Sequence, residues 1–216
     1  MNLNEHFVIT ISRELGSGGH TIGKKLADKL GVRFCDKELI KELSKRFNLT
    51  PQTIEHLKSE KKNWLSDFIQ RLAPAPSPAG FIGSDPVYGK EFNPTVTTDE
   101  IFEAEKEILR AMAEAESCVI AGRSGFFVLK DFPNKVDLFI TASKENRIAR
   151  TMEKQNFPRE LAEEVLGKVD KARENYIQRF AGVSRYDARN YSLTMNVDGM
   201  TEDEAVEVIL AYLNRK

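Results

Sequence analysis

The sequence predicts an α/β fold, a mostly parallel sheet of about five strands flanked by helices. Three observations lead there. Short runs rich in β-branched residues alternate with longer segments whose apolar residues recur at helical spacing. The first run, Phe7-Val8-Ile9-Thr10-Ile11, is almost wholly apolar, as a strand covered on both faces should be. A glycine cluster follows it and leads into a helical stripe, and such alternation is joined by right-handed crossovers.

Each element carries its own signal. Ile22, Leu26 and Leu30 recur every four residues, and Gly31 ends that helix. Val32-Arg33-Phe34-Cys35 reads as a second short strand, and Leu39, Ile40, Leu43 and Phe47 as the stripe of the next helix. Thr50-Pro51 pairs a cap residue with a first-turn proline, and Ile54, Leu57, Trp64, Leu65, Phe68 and Leu72 continue at helical spacing. The prolines 74, 76 and 78 break that pattern, and the chain to about residue 96 reads as an irregular excursion too long for a connector. Thr97 and Glu100 fit a capping box before the stripe Ile101, Ala104, Ile108, Met112 and Ala115. Cys118-Val119-Ile120-Ala121 is the third strand, ended by Gly122-Arg123-Ser124-Gly125, and Val136 to Ile140 the fourth. Helices start near Ser143 and at Pro158, the latter with Leu161, Val165, Val169, Ala172 and Tyr176 on one face. Tyr191 to Val197 reads as the last strand, and Thr201 with Glu204 caps the final helix.

Composition removes several function classes. The 32 basic and 33 acidic residues leave a net charge of −1, so no global field draws the protein to nucleic acid or a membrane, and any phosphate site is local. No apolar stretch approaches the roughly 20 residues of a membrane span, and cytoplasmic residence is the default expectation. Cys35 and Cys118 read as small core residues. His6, His20 and His56 lack metal-ligand spacing, and no histidine is placed to activate Ser124.

The chemistry concentrates in Ile11-Ser12-Arg13-Glu14-Leu15-Gly16-Ser17-Gly18-Gly19-His20-Thr21-Ile22-Gly23. Glycines let backbone N–H groups turn inward around an anion, and a helix start adds free N–H groups and the positive end of its dipole. Gly16, Ser17, Gly18, Gly19, His20 and Thr21 are therefore the expected phosphate-binding residues.

From Ile9 to Thr21 the chain lies without gaps on the phosphate loop of bacterial cytidylate kinases. The match continues through Leu26 to Gly31, Gly122-Arg123, the strand around Leu138, and Ala142 to Arg150. Outside residues 48–98 the sequence resembles the cytidylate kinase-like family, whose loop reads Ser-Arg-Glu, a hydrophobic residue, then Gly-Ser-Gly-Gly. The resemblance implies a three-layer P-loop NTPase fold in one domain over 1–216, with an acceptor-side helical excursion about 36–98 and a lid about 143–182. It implies a nucleoside monophosphate kinase that uses ATP with Mg²⁺, with the metal on Thr21. Arg123 and Asp36 would meet the acceptor, and Arg150 and Arg173 the migrating phosphoryl group.

Three positions depart from that pattern. Gly19 stands where the loop lysine belongs, Ala121 where an acid closes the third strand, and Asp36 to Glu42 keeps little of the acceptor segment beyond the aspartate. Arg13, His20 and Lys24 are the nearest cations, and Arg13, leaving the strand straight into the loop, is the expected substitute for the lysine. Two other readings stay open at this point: a nucleotide- or phosphate-binding protein with little transfer, and a kinase for another small acceptor.

Overall fold

The apolar first strand lies at the centre of the sheet. In the computed structural model, which describes residues 1–51, 53–54, 96–122 and 124–215, β1 (Val8–Arg13) is followed by β2 (Arg33–Cys35), β3 (Cys118–Ala121), β4 (Lys135–Thr141) and β5 (Leu193–Asn196). The order is β2-β3-β1-β4-β5, and all four pairings are parallel. Parallel neighbours require a crossover each time, which the helices supply. These are α1 (Gly19–Leu30), α2 (Lys37–Phe47), α3 (Thr98–Ala115), α4 (Gly125–Val128), α5 (Lys144–Gln155), α6 (Arg159–Ala181) and α7 (Glu202–Leu213).

Alternate strand residues feed two cores. Ile9, Ile11, Val119, Leu138 and Ile140 pack with Ile22 and Leu26 of α1 and Val206 and Ile209 of α7. Val8, Cys118 and Ile120 pack on the other face with Leu39 and Leu43 of α2 and Ile101 and Leu109 of α3. Each such aliphatic side chain contributes about 1.5–3 kcal/mol by leaving water. Both cysteines are buried and unbridged. A third, smaller cluster joins Ile148 of α5 to Ala162 and Leu166 of α6, with Leu15 packed against it. The α5–α6 pair thus reaches the strand-to-helix loop through its own core.

Most boundaries fall where local chemistry sets them. Gly31 ends α1 in the left-handed region at φ +67, its N–H bonded to Ala27 and Asp28 carbonyls. Thr97 with Glu100, and Thr201 with Glu204, close complete capping boxes, and Ser143 caps α5. Thr50 caps the turn at Pro51 through Thr53 N (3.1 Å). Two features differ from expectation. The last strand is shorter, because Tyr191 leaves the ladder and stacks on Phe139 at 5.1 Å. Helix α4 has no counterpart in the sequence pattern, since four residues are too few to show a periodicity. Of the expected excursion, residues 55–95, including Trp64 and Phe68, lie outside the described residues.

The sheet has one uneven edge that matters for the site. Ile11 pairs with Ala121, the last residue of β3, and Gly122 N still donates to Ile11 O at 2.7 Å. Among the described residues Ser12 and Arg13 pair with β4 alone. The C-terminal end of β1 therefore outruns β3 and opens toward α6.

Candidate phosphate-binding site

The loop from Glu14 to Gly18 is a tight bend. Gly16 (φ +79) and Gly18 (φ +82) are both left-handed, where an L side chain costs about 1–2 kcal/mol. Buried Ser17 closes the bend, donating its hydroxyl to Glu14 O at 2.9 Å and accepting from Gly19 N at 3.4 Å. Gly18, the N-cap of α1, offers no side chain, and Ile22 N to Gly18 O (3.0 Å) is the first helical bond. The N–H groups of His20 and Thr21 meet no acceptor among the described residues. Unsatisfied first-turn amides beside a left-handed glycine pair form an anion cradle.

Cations surround the cradle. Arg13 runs from the end of β1 across Gly19, whose Cβ, if present, would stand 2.6 Å from Arg13 Cβ. Its guanidinium fills the space over Gly122 and reaches Asp36 Oδ1 at 3.3 Å. Asp36 is buried at the end of β2, and its second oxygen meets His20 Nε2 at 3.0 Å. Glycine at position 19 is thus what the arginine requires: a side chain there would collide with Arg13 as it lies. On the opposite side Arg150 of α5 lies against Gly18, with Nη1 1.9 Å from where a Cβ would be. That nitrogen is buried and has no hydrogen-bond partner, and Glu202 Oε1 stands 3.7 Å away. Thr21 Oγ1 accepts from Lys154 Nζ at 3.4 Å, so its hydroxyl faces α5. Next to Gly16 and Arg150 a cavity of about 240 Å³ opens between Asn146, Asp198, Gly199 and Met200. The Asn146 amide, with the Ser143 N–H, holds the Asp198 carboxyl below its ordinary range.

Behind the bend lies an ion network. Arg147 Nε donates to Leu15 O (2.8 Å), Nη1 to Glu14 Oε1 (3.0 Å) and Nη2 to Asp170 Oδ2. Asp170 of α6 accepts from Leu15 N at 3.2 Å and lies 3.7 Å from Arg173. Arg185, buried in the loop after α6, donates to Arg13 O at 2.6 Å. Helical spacing puts Arg147 and Arg150 on one face, and the family resemblance implies that such a pair meets the transferring group. The structure separates their guanidinium groups: that of Arg147 turns to the rear of the loop, onto Leu15 O and Glu14, while that of Arg150 lies against Gly18. Sequence reasoning misses Arg185 because it belongs to no periodic segment and no motif.

The structure brings Gly16 to Thr21, Arg13, Asp36, Arg150 and Arg173 around one end of the sheet, while Arg123 lies outside the described residues. Among the described residues no group of three or more His, Cys, Asp or Glu side chains is arranged to hold a metal. A model of the cytidylate kinase-like family matches residues 8–199. The chain belongs to the cytidylate kinase-like family.

Solved structures agree on the fold. An uncharacterized protein from Eubacterium ventriosum is 24% identical, with a TM-score of 0.68 over 97% of this chain and 99% of that one. Shikimate kinase from Bacteroides thetaiotaomicron is 16% identical, with a TM-score of 0.53 over 96% and 98%. A gluconokinase from Sinorhizobium meliloti is 15% identical, with a TM-score of 0.51 over 97% and 93%. The cytidylate kinase-like chain therefore has the P-loop kinase fold, a three-layer α/β architecture with an entirely parallel sheet. No helix among its described residues is long and apolar enough to cross a membrane.

Proposed function

We propose that this protein is a nucleotide-dependent phosphotransferase, a nucleoside monophosphate kinase of the cytidylate-like type. The carrying observation is the buried Nη1 of Arg150 against Gly18, which has no hydrogen-bond partner and lies 3.7 Å from Glu202 Oε1, beside His20 and Thr21 amides that meet no acceptor among the described residues. A buried N–H without a hydrogen-bond partner costs about 1–3 kcal/mol, and a phosphate oxygen in the bend would remove that cost at Arg150 Nη1 while also accepting from the first-turn amides. The donor triphosphate would lie with its phosphates on Gly16 to Thr21 and its nucleoside toward the cavity lined by Asn146 and Asp198.

Magnesium would arrive with the nucleotide, held chiefly by phosphates and water, as this small, strongly hydrated cation usually is. Thr21 would be its candidate protein hydroxyl. Arg13 would take the role of the loop lysine, since its side chain crosses Gly19. A guanidinium can fork onto two phosphoryl oxygens where an ammonium acts as a point charge. Asp36 and Arg123 would face the acceptor, with Arg150 and Arg173 stabilising charge on the migrating group.

A second reading, a nucleotide-binding protein with little transfer, is favoured by the ion pair between Arg13 and Asp36. That pair holds the substitute cation away from a γ-phosphate unless substrate draws it off. One experiment separates the two. MgATP is titrated calorimetrically, and nucleoside monophosphates are then supplied with MgATP while diphosphate formation is followed. Binding with turnover supports the kinase, binding without turnover the second reading, and a folded protein that binds no nucleotide sinks both.

A further inference from the structure

We infer that Arg185 is a positioning residue for the phosphate loop, and that it secures a backbone carbonyl which Arg173 must release to reach the substrate. The clause about Arg173 rests on the phosphotransferase reading; the clause about the loop does not.

The uneven sheet edge creates the need for it. Ile11 O is bonded by Gly122 N, and two residues on, Arg13 O projects to the same side of β1, where β3 has already ended. Among the described residues no strand bonds it. Two arginines do so instead: Arg185 Nη2 at 2.6 Å and Arg173 Nη1 at 3.3 Å. The two are not equivalent. The Arg185 side chain is 5% exposed, whereas that of Arg173 is 34% exposed.

Arg185 is held from every direction. Its Nη1 lies 3.5 Å from Asp170 Oδ1, its N–H donates to Glu174 Oε2 at 2.9 Å, and its carbonyl accepts from the Tyr191 hydroxyl at 2.7 Å. Its guanidinium packs over the Tyr186 ring at 5.2 Å and the Phe139 ring at 5.9 Å. Burying a guanidinium is costly without such pairing, so a position this fully enclosed fixes one geometry.

The consequence falls on the loop. Arg13 O and Glu14 N share a peptide plane, and Glu14 N is fixed by Ile140 O at 3.1 Å. With Arg185 on one side and β4 on the other, the plane from which the bend departs cannot rotate. Asp170 and Arg147 then hold Leu15 N and Leu15 O. Arg13, whose side chain crosses the loop, is aimed by this same plane. Arg173 can therefore leave the carbonyl for a phosphoryl oxygen while Arg185 keeps it bonded.

The test uses the full chain and three variants, Arg185→Lys, Arg185→Met and Arg173→Met. Amide hydrogen exchange is followed across residues 14–19 without ligand, and ATP affinity, kcat and KM are measured where they exist. Arg185→Met should speed exchange across the bend about tenfold, the cost of one charge-assisted bond, and Arg185→Lys should restore part of it. In the active enzyme Arg185→Met should weaken ATP binding, while Arg173→Met should lower kcat and leave ATP affinity unchanged. Tyr191→Phe, which loosens Arg185 at its carbonyl, gives a milder version of the same exchange pattern if Arg185→Met fails to fold. Unchanged exchange over residues 14–19 in the Arg185 and Tyr191 variants, with only a lower melting temperature, would overturn the inference. A response of the loop in a protein that transfers no phosphate would uphold the positioning role and refute the part given to Arg173.

Discussion

Two strand-to-helix turns stand side by side in this molecule, and among the described residues they differ in how their glycines and opening amides are engaged. Both follow sheet strands, after β1 and β3, and both place glycine in the left-handed region, Gly16 and Gly18 in the first and Gly122 in the second. In the first, α1 runs twelve residues and its His20 and Thr21 amides meet no acceptor among the described residues. In the second, α4 has four residues, and Gly125 N turns back onto Gly122 O at 3.2 Å. The space over Gly122 is filled by the Arg13 guanidinium, whereas Gly18 faces a buried nitrogen of Arg150 that has no hydrogen-bond partner and lies 3.7 Å from Glu202 Oε1. A left-handed glycine marks a sharp turn. What makes a site is the unsatisfied charge and amide groups gathered around it, and here the second turn serves the first by making room for its arginine.

That contrast can be broken most severely at Arg13. Arg13→Met should lower kcat/KM for phosphoryl transfer by about 10²–10³, the loss typical of one charge-stabilising donor. Gly19→Lys on the unaltered background should not help, because its Cβ would press on Arg13 Cβ at 2.6 Å. Arg13→Gly combined with Gly19→Lys should recover part of the loss, measured in the same steady-state assay. The two turns should then part company under alanine. Gly18→Ala, at φ +82 and against Arg150, should weaken ATP binding about tenfold by calorimetry, since about 1–2 kcal/mol of backbone strain falls on the cradle itself. Gly122→Ala displaces the tip of Arg13, and should lower kcat while ATP affinity stays within about twofold of wild type. The smallest effect is expected at a left-handed glycine outside either turn. Gly31, at φ +67, has nothing within 4 Å of where a Cβ would stand, so Gly31→Ala should cost about 1–2 kcal/mol and a few degrees of melting temperature, with activity unchanged.

Much of the fold is legible in the sequence. The capping pairs Thr97 with Glu100 and Thr201 with Glu204 stand three residues apart, so local chemistry alone sets where α3 and α7 begin. The apolar run of β1 and the four-residue spacing of Ile22, Leu26 and Leu30 fix type and burial in the same way. Legibility ends where a boundary depends on a partner. Tyr191 looks like strand, but it packs on Phe139 and bonds to Arg185 O instead.

The site divides along the same line. The glycine bend, its position after a buried strand, and the absence of a lysine at Gly19 were all determined by sequence, because each rests on residues within one turn of each other. Only the tertiary structure decided which arginines serve it. Arg13 and Arg185 stand 172 residues apart in the chain, with Arg147 and Arg173 between them, yet Asp36 and Asp170 gather all four at the open end of β1. A long, flexible cation can point anywhere until burial leaves it one set of carboxylates and carbonyls to bond, and that choice is made by the packing of distant elements rather than by its neighbours in sequence.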